Sequence, residues 1–151
     1  MEDDTPSLLK KTCTAGCEKL LEYLLDIPAE NWVFVPQPEE GVSTAPKIEK
    51  SEGKIEWEAS SREIFNRIRA LADAPGTYCF HEGKRLRIHK AMPASASGMP
   101  GELVGVFDGF PVIACGESSL QLLHVQPEGK NVRSADEWLR GSRMKLGDKL
   151  D

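Results

Sequence analysis

The sequence predicts a mainly β chain with flanking helices: an antiparallel meander or small barrel, preceded by a detached helix and an extended linker. Three observations carry this reading. After Gly76 the apolar pattern changes from helical spacing to alternation with period two. Five short apolar runs then follow one another with turn residues, not helices, between them, which favours antiparallel pairing. Before them, residues 28–54 carry Pro36, Pro38 and Pro46 in a charged stretch without sustained period, the texture of a connector lying over a surface. The expected segments are therefore 1–27, 28–54 and 55–151.

In chain order, residues 6–25 read as a helix. Thr5 can cap it, and Pro6 suits the first helical position, where a missing N–H costs nothing. Leu9, Cys13, Leu20, Leu21 and Leu24 give it an apolar face that needs a partner, and Pro28 ends it. In the linker, Trp32, Val33, Phe34 and Val35 are expected to form a short anchoring strand. Ser60 and Glu63 form a capping-box pair, and Ile64, Phe65, Ile68 and Leu71 make the inward stripe of a helix that Ala74-Pro75-Gly76 breaks. The strand candidates are "TYCFH", "KRLRIHKAMP", "ELVGVFD", "FPVIACG" and "SLQLLHVQP", divided by Glu82-Gly83, "ASASGMPG", Asp108-Gly109 and Glu117-Ser118. A last helix begins near Arg133, with Ser134 and Glu137 as a second capping box, and "MKLGDKL" is expected to return as a final strand.

Composition narrows the function classes. With 40% hydrophobic and 28% charged residues, the chain is of ordinary globular type, and no apolar stretch approaches the roughly 20 residues of a membrane-spanning helix. The acidic "MEDDTPSLLKK" fits neither a secretory signal nor an Arg-rich transit peptide. Cys13, Cys17, Cys79 and Cys115 show no CxxC and no Cys/His cluster, so they read as reduced, buried small hydrophobes in an intracellular compartment, not as zinc ligands. His81, His89 and His124 stand in strands, and no G-x-S-x-G elbow, Walker loop or GxGxxG is present. No catalytic residue and no metal site are expected.

The charge is uneven. Residues 1–58 carry 6 Lys/Arg against 13 Asp/Glu, and residues 59–151 carry 13 against 11, leaving −7 and +2 within a net −5. The most informative cationic stretch is Lys84–Lys90. Alternation turns Leu86 and Ile88 inward and lines up Arg85, Arg87 and His89 outward, along about 13 Å of strand, enough to neutralise roughly two or three phosphates. Arg67 and Arg69 on the preceding helix, Lys130 and Arg133 in a loop, and Arg140, Arg143 and Lys145 beyond it extend the cationic set. With few aromatic residues to stack on bases, contact with a nucleic-acid backbone is expected in preference to base reading.

The order of these pieces resembles a known family. "KIEWEASSREIFNRIRALADAPGTYCFHEGKRLRIHKA", "PGELVG", "VIACGESSLQLLHVQPEGKNVRSADEWLRG" and the closing "LGDKL" are together similar to the C-terminal domain of methionyl-tRNA formyltransferases. "DDTPSLLKKTCTAGCEKLLEYL" resembles the final helix of that enzyme's catalytic domain, and "VPQPEEGVSTAPKIEKSEGKIEW" its interdomain connector. The resemblance implies an OB-like barrel at 55–151 with a basic face toward initiator methionyl-tRNA, on the acceptor-stem side. Arg67, Arg69, Arg85, Arg87, Lys130, Arg133, Arg140 and Arg143 are the candidate contacts.

It further implies a formyltransferase catalytic domain in the same chain, with 10-formyltetrahydrofolate as co-substrate of the full-length enzyme, working in bacterial cytoplasm or in mitochondria or plastids. The family's catalytic Asn, His and Asp and its Ser-Leu-Leu-Pro loop have no counterpart here. "SLLK" at Ser7–Lys10 lies in a later helix and lacks the proline. Taken alone, the chain is expected to be inactive in formyl transfer and to hold no cofactor. Similar barrels end sugar-nucleotide formyltransferases and the hydrolase domain of formyltetrahydrofolate dehydrogenase, although "LQPEGK"-type and "SADEWLRG" pieces suit the tRNA-acting branch better. A barrel that only braces a catalytic domain or partner is the rival of another class.

Overall fold

A computed structural model describes residues 3–26, 28 and 31–151. Residues 1, 2, 27, 29 and 30, which belong to the expected first segment and the start of the linker, lie outside the described residues. The chain divides into two compact units, residues 1–48 and 49–151.

In the first unit, helix α1 spans Thr5–Asp26. Its cap is Asp4 and not Thr5: the Ser7 N–H donates to Asp4 Oδ1 at 2.9 Å, and Ser7 Oγ accepts the Asp4 N–H at 3.0 Å. A carboxylate accepts more strongly from helix-start N–H groups than a hydroxyl does, so the cap moves one residue upstream. Leu9, Leu20, Leu21 and Leu24 are all exposed, as are Cys13 and Cys17, so only two of the four cysteines have the burial expected of them. The strand expected at Trp32–Val35 does not form. Val33, Phe34 and Val35 are exposed and unladdered, and the Trp32 and Phe34 rings meet edge to face at 6.5 Å.

The second unit starts with a 3-10 turn at Lys50–Gly53, and the Ile55 N–H then donates to the Tyr78 carbonyl at 2.8 Å. Helix α2, Ser61–Ala70, opens on the expected capping box: the Ser60 hydroxyl accepts from the Glu63 N–H, and the Glu63 carboxylate accepts from the Ser60 N–H at 3.0 Å. Ile64, Ile68 and Leu71 are buried, with Phe65 packed at the margin.

Strands β1 (Thr77–His81), β2 (Lys84–Ala94), β3 (Leu103–Phe107), β4 (Phe110–Ala114), β5 (Ser119–Pro127) and β6 (Arg133–Ser134) form one antiparallel sheet in the order β1-β2-β5-β4-β3. The far edge of β5 is shared: its first residues pair with β4, while His124 and Val125 pair with β6. The two-residue β6 carries too little pattern to be visible in sequence. Helix α3 follows at Ala135–Ser142. Its expected capping box is not made. The Ser134 hydroxyl instead donates to the Asp136 carboxylate, which competes for it at closer sequence range.

The architecture is OB-like, but the six strands by themselves are an open sheet, not a closed barrel. "MKLGDKL" is not a strand either. Residues 147–151 instead bridge the two edges through backbone hydrogen bonds. Leu103 N–H reaches the Asp148 carbonyl at 2.8 Å and Leu150 N–H the Gly101 carbonyl at 2.9 Å on the β3 side; Phe80 and Asp151 exchange bonds of 2.7 and 2.9 Å on the β1 side. Unpaired sheet edges are thereby satisfied without a sixth long strand. Leu86, Ile88, Leu103, Ile113, Leu120, Leu122 and Val125 fill the interior with Trp57, Trp138 and Leu150.

Candidate nucleic-acid interface

The sheet's outer face at β1–β2 and the rim beside it hold the candidate site. Leu86 and Ile88 are buried, so strand alternation places Arg85, Arg87 and His89 on the opposite face. The β5–β6 connection is fastened to the start of β2. Glu128 N–H donates to the Arg85 carbonyl at 2.9 Å, and Lys130 N–H closes the turn on the Pro127 carbonyl at 3.0 Å. Gln126 completes the frame: its Nε2 donates to the Lys130 carbonyl at 2.9 Å, and its Oε1 lies 3.1 Å from His89 Nε2. Backbone bonding thus fixes the loop while leaving the cationic side chains exposed.

These elements enclose a cleft of about 370 Å³ between the β1–β2 turn, the β5–β6 loop and α3. Lys84, Arg85, Lys130 and Arg133 line it, with Glu82, Glu128 and Glu137 on the same walls and Trp138 at its base. All four cations are exposed, and no ion pair among the described residues joins them to those acids. Exposed, unpaired cations keep their charge available to an incoming anion. Beside the cleft, the Arg85 guanidinium lies 3.7 Å from the centre of the Tyr78 ring, and Tyr78 meets Phe80 edge to face at 5.7 Å.

The eight sequence-predicted residues do not form one cluster. Arg85, Lys130 and Arg133 share the cleft. Arg87 turns away, its Nη2 donating to the Pro75 carbonyl at 3.2 Å. Arg67 reaches the Lys54 carbonyl at 3.4 Å and lines a separate hollow with Glu56 and Glu63. Arg69 donates to Asn66 Oδ1 at 2.7 Å and covers the Phe65 ring at 4.9 Å. Arg140 is paired with Asp136 at 3.1 Å, one helical turn away, and Arg143 ends α3 in the left-handed conformation at φ 61°. Neither Arg140 nor Arg143 lines the cleft.

Sequence reasoning passed over Lys84, Tyr78 and Phe80. Lys84 begins the same strand as Arg85, and proximity to a hairpin turn could have flagged it. The two aromatics alternate with buried Thr77 and Cys79 in β1, which already assigns them to the outer face. Buried Cys115 has its thiol pushed up to about 12 by loss of hydration, and Cys79 is pushed higher still, so neither is a nucleophile at neutral pH. Among the described residues, no group of three or more His, Cys, Asp or Glu could hold a metal ion. No helix among them is long and apolar enough to cross a membrane.

Fold and site together define an OB-like antiparallel domain with a cationic cleft at its rim. The chain belongs to the formyl transferase, C-terminal domain family, whose model matches residues 47–143. It is similar to the methionyl-tRNA formyltransferase of Paracoccus denitrificans, 40% identical over 152 residues that cover 99% of this chain and 48% of that protein. The corresponding figures for the Bdellovibrio bacteriovorus protein of the same name are 37% over 140 residues, 89% and 44%. The chain thus spans about half the length of the curated relatives it matches. Among solved structures, a variant of HypX from Aquifex aeolicus matches with a TM-score of 0.72 at 18% identity, covering 100% of this chain and 30% of that one. HypX in complex with tetrahydrofolic acid matches at 0.64 and 20%, covering 89% and 26%. At such identities the likeness speaks for the fold.

Proposed function

We propose that residues 49–151 are the tRNA-binding domain of a methionyl-tRNA formyltransferase, gripping the backbone of initiator methionyl-tRNA in the cleft of Lys84, Arg85, Lys130 and Arg133. The observation that carries this reading is the convergence of those four exposed cations from β2, the β5–β6 loop and β6 on one cleft. In a chain of net charge −5, such convergence sets the local field against the average and attracts a polyanion at one place. Each phosphate neutralised releases condensed counterions, which supplies affinity without reading sequence.

The domain then holds the methionyl end of the tRNA for a catalytic part of a longer chain, where 10-formyltetrahydrofolate supplies the formyl group inside the cell. Arg67, Arg87 and Arg143 would extend the contact along the sheet and beyond α3 as secondary cations. A titration of initiator tRNA across a salt series tests the reading. Affinity should fall steeply with salt, with a log–log slope of roughly −3 to −4 for four phosphates. A slope near zero overturns it.

A second reading rests on α1, whose Leu8, Leu9, Leu20, Leu21 and Leu24 are exposed. Such a face suits burial against a protein surface. On that reading the domain braces a catalytic partner, and a separately expressed catalytic half would be restored by this chain without any tRNA affinity of the chain itself.

A further inference from the structure

The Arg85–Tyr78 pair is built for more than phosphate contact. Arg85 stands directly opposite Phe80 in the β1–β2 ladder, and Tyr78 directly opposite Arg87. Arg85 nevertheless leans diagonally, placing its guanidinium carbon 3.7 Å from the Tyr78 ring centre. At that separation the planar cation lies on the face of the ring, held by the ring quadrupole. Tyr78 is in turn braced edge-on by Phe80. Arg87, the other cation on this face, is tied to the Pro75 carbonyl and does not compete for the ring. Arg85 itself remains exposed, so its outward plane is open to solvent at the lip of the cationic cleft.

A guanidinium plane supported from below by an aromatic ring is a stacking surface for a nucleobase. Bases inside a duplex are stacked already, so only an unpaired nucleotide can use it. We propose that the Tyr78–Arg85 stack is a docking platform for an unpaired base of the bound RNA, adjacent to the cleft that holds its phosphates. This rests on the proposed RNA-binding role and adds a component that discriminates single-stranded from paired nucleotides. It also alters the expectation, drawn from the scarcity of aromatic residues, that only the backbone is touched.

The test uses the full chain and two RNA hairpins of identical length and phosphate count. One carries a four-adenosine 3′ overhang, and the other carries the same overhang with abasic riboses. The adenosine hairpin should bind about five- to tenfold more tightly, the gain from roughly one stacked base. Replacing one adenosine by 2-aminopurine should show a fluorescence change on binding. Arg85→Lys keeps the charge and loses the plane, so it should abolish the preference for the adenosine overhang over the abasic one. Tyr78→Leu, which removes the supporting ring, should do the same, and its thermal melt reports whether it folds. Equal affinity of the wild type for the two hairpins overturns the platform. A preference that survives Arg85→Lys overturns its assignment to this pair. Loss of binding to both hairpins by the wild type would instead remove the RNA-binding reading beneath it.

Discussion

The Arg87 guanidinium donates a hydrogen bond to the Pro75 carbonyl at 3.2 Å, closing over Gly76, where a Cβ would overlap it. Arg87, one of three outward-facing residues aligned along β2, is therefore also a clamp between β2 and the turn that precedes β1. Arg87→Ala should lower stability by about 1–2 kcal/mol, the usual worth of a charged hydrogen bond at a half-buried site. Gly76 has φ +77°, so Gly76→Ala meets both left-handed strain and the guanidinium, and should cost at least as much. Urea titration of both variants measures this, and unchanged midpoints would return Arg87 to the free cations.

Gly116 is held by N–H bonds to the Trp57 carbonyl at 2.8 Å and the Ala59 carbonyl at 2.9 Å. A Cβ there would strike the Glu58 carbonyl, and backbone cannot yield as a side chain can. Gly116→Ala should therefore cost about 1–3 kcal/mol, in the range of overpacked cores. Gly105 in β3 has open space around it, so Gly105→Ala should be neutral or slightly stabilising in the same denaturant assay.

Leu150 is buried at 2% exposure although one residue from the end of the sequence. If the 147–151 segment closes the sheet, Leu150→Ala should cost about 2–4 kcal/mol. The exposed neighbour Lys149→Ala should stay within about 0.5 kcal/mol. Similar thermal melts for the two variants would show that the segment merely decorates the edges.

The Ser134 hydroxyl holds the Asp136 carboxyl below its usual range of 3.8, and the Ser60 hydroxyl and N–H do the same for Glu63 against 4.5. A depressed folded-state value means the unfolded chain binds the proton more readily. Stability from both groups is therefore present above those ordinary values and lost as pH falls through the lower, folded ones. The double variant Asp136→Asn, Glu63→Gln should show a shallower loss of melting temperature between about pH 5 and pH 2 than the parent. An unchanged slope contradicts the assignment.

Much of the second unit was legible because period two survives wherever one strand face is buried. β1 and β5 match their sequence boundaries, and the Ser60–Glu63 box forms as written. What sequence could not convey was pairing between distant segments. The C-terminal residues bond to both sheet edges with no alternation to announce it, and β6 is two residues long. The site was legible as residue types but not as a set. Arg69 is spent on Phe65 and Asn66, and Arg140 on Asp136, each a neighbour three or four residues away on its own helix. Local partners of this kind discount a helical cation, whereas Lys84, Lys130 and Arg133 sit where the backbone turns and make no ion pair among the described residues, although Glu82, Glu128 and Glu137 share their cleft.

The central claim, that one cleft grips RNA phosphates, is most directly tested by the salt dependence of initiator-tRNA binding in single alanine variants. Lys84→Ala, Lys130→Ala and Arg133→Ala should each reduce the log–log slope by about one, while Arg69→Ala and Arg140→Ala leave it unchanged. Equal slopes for all five variants would contradict the account.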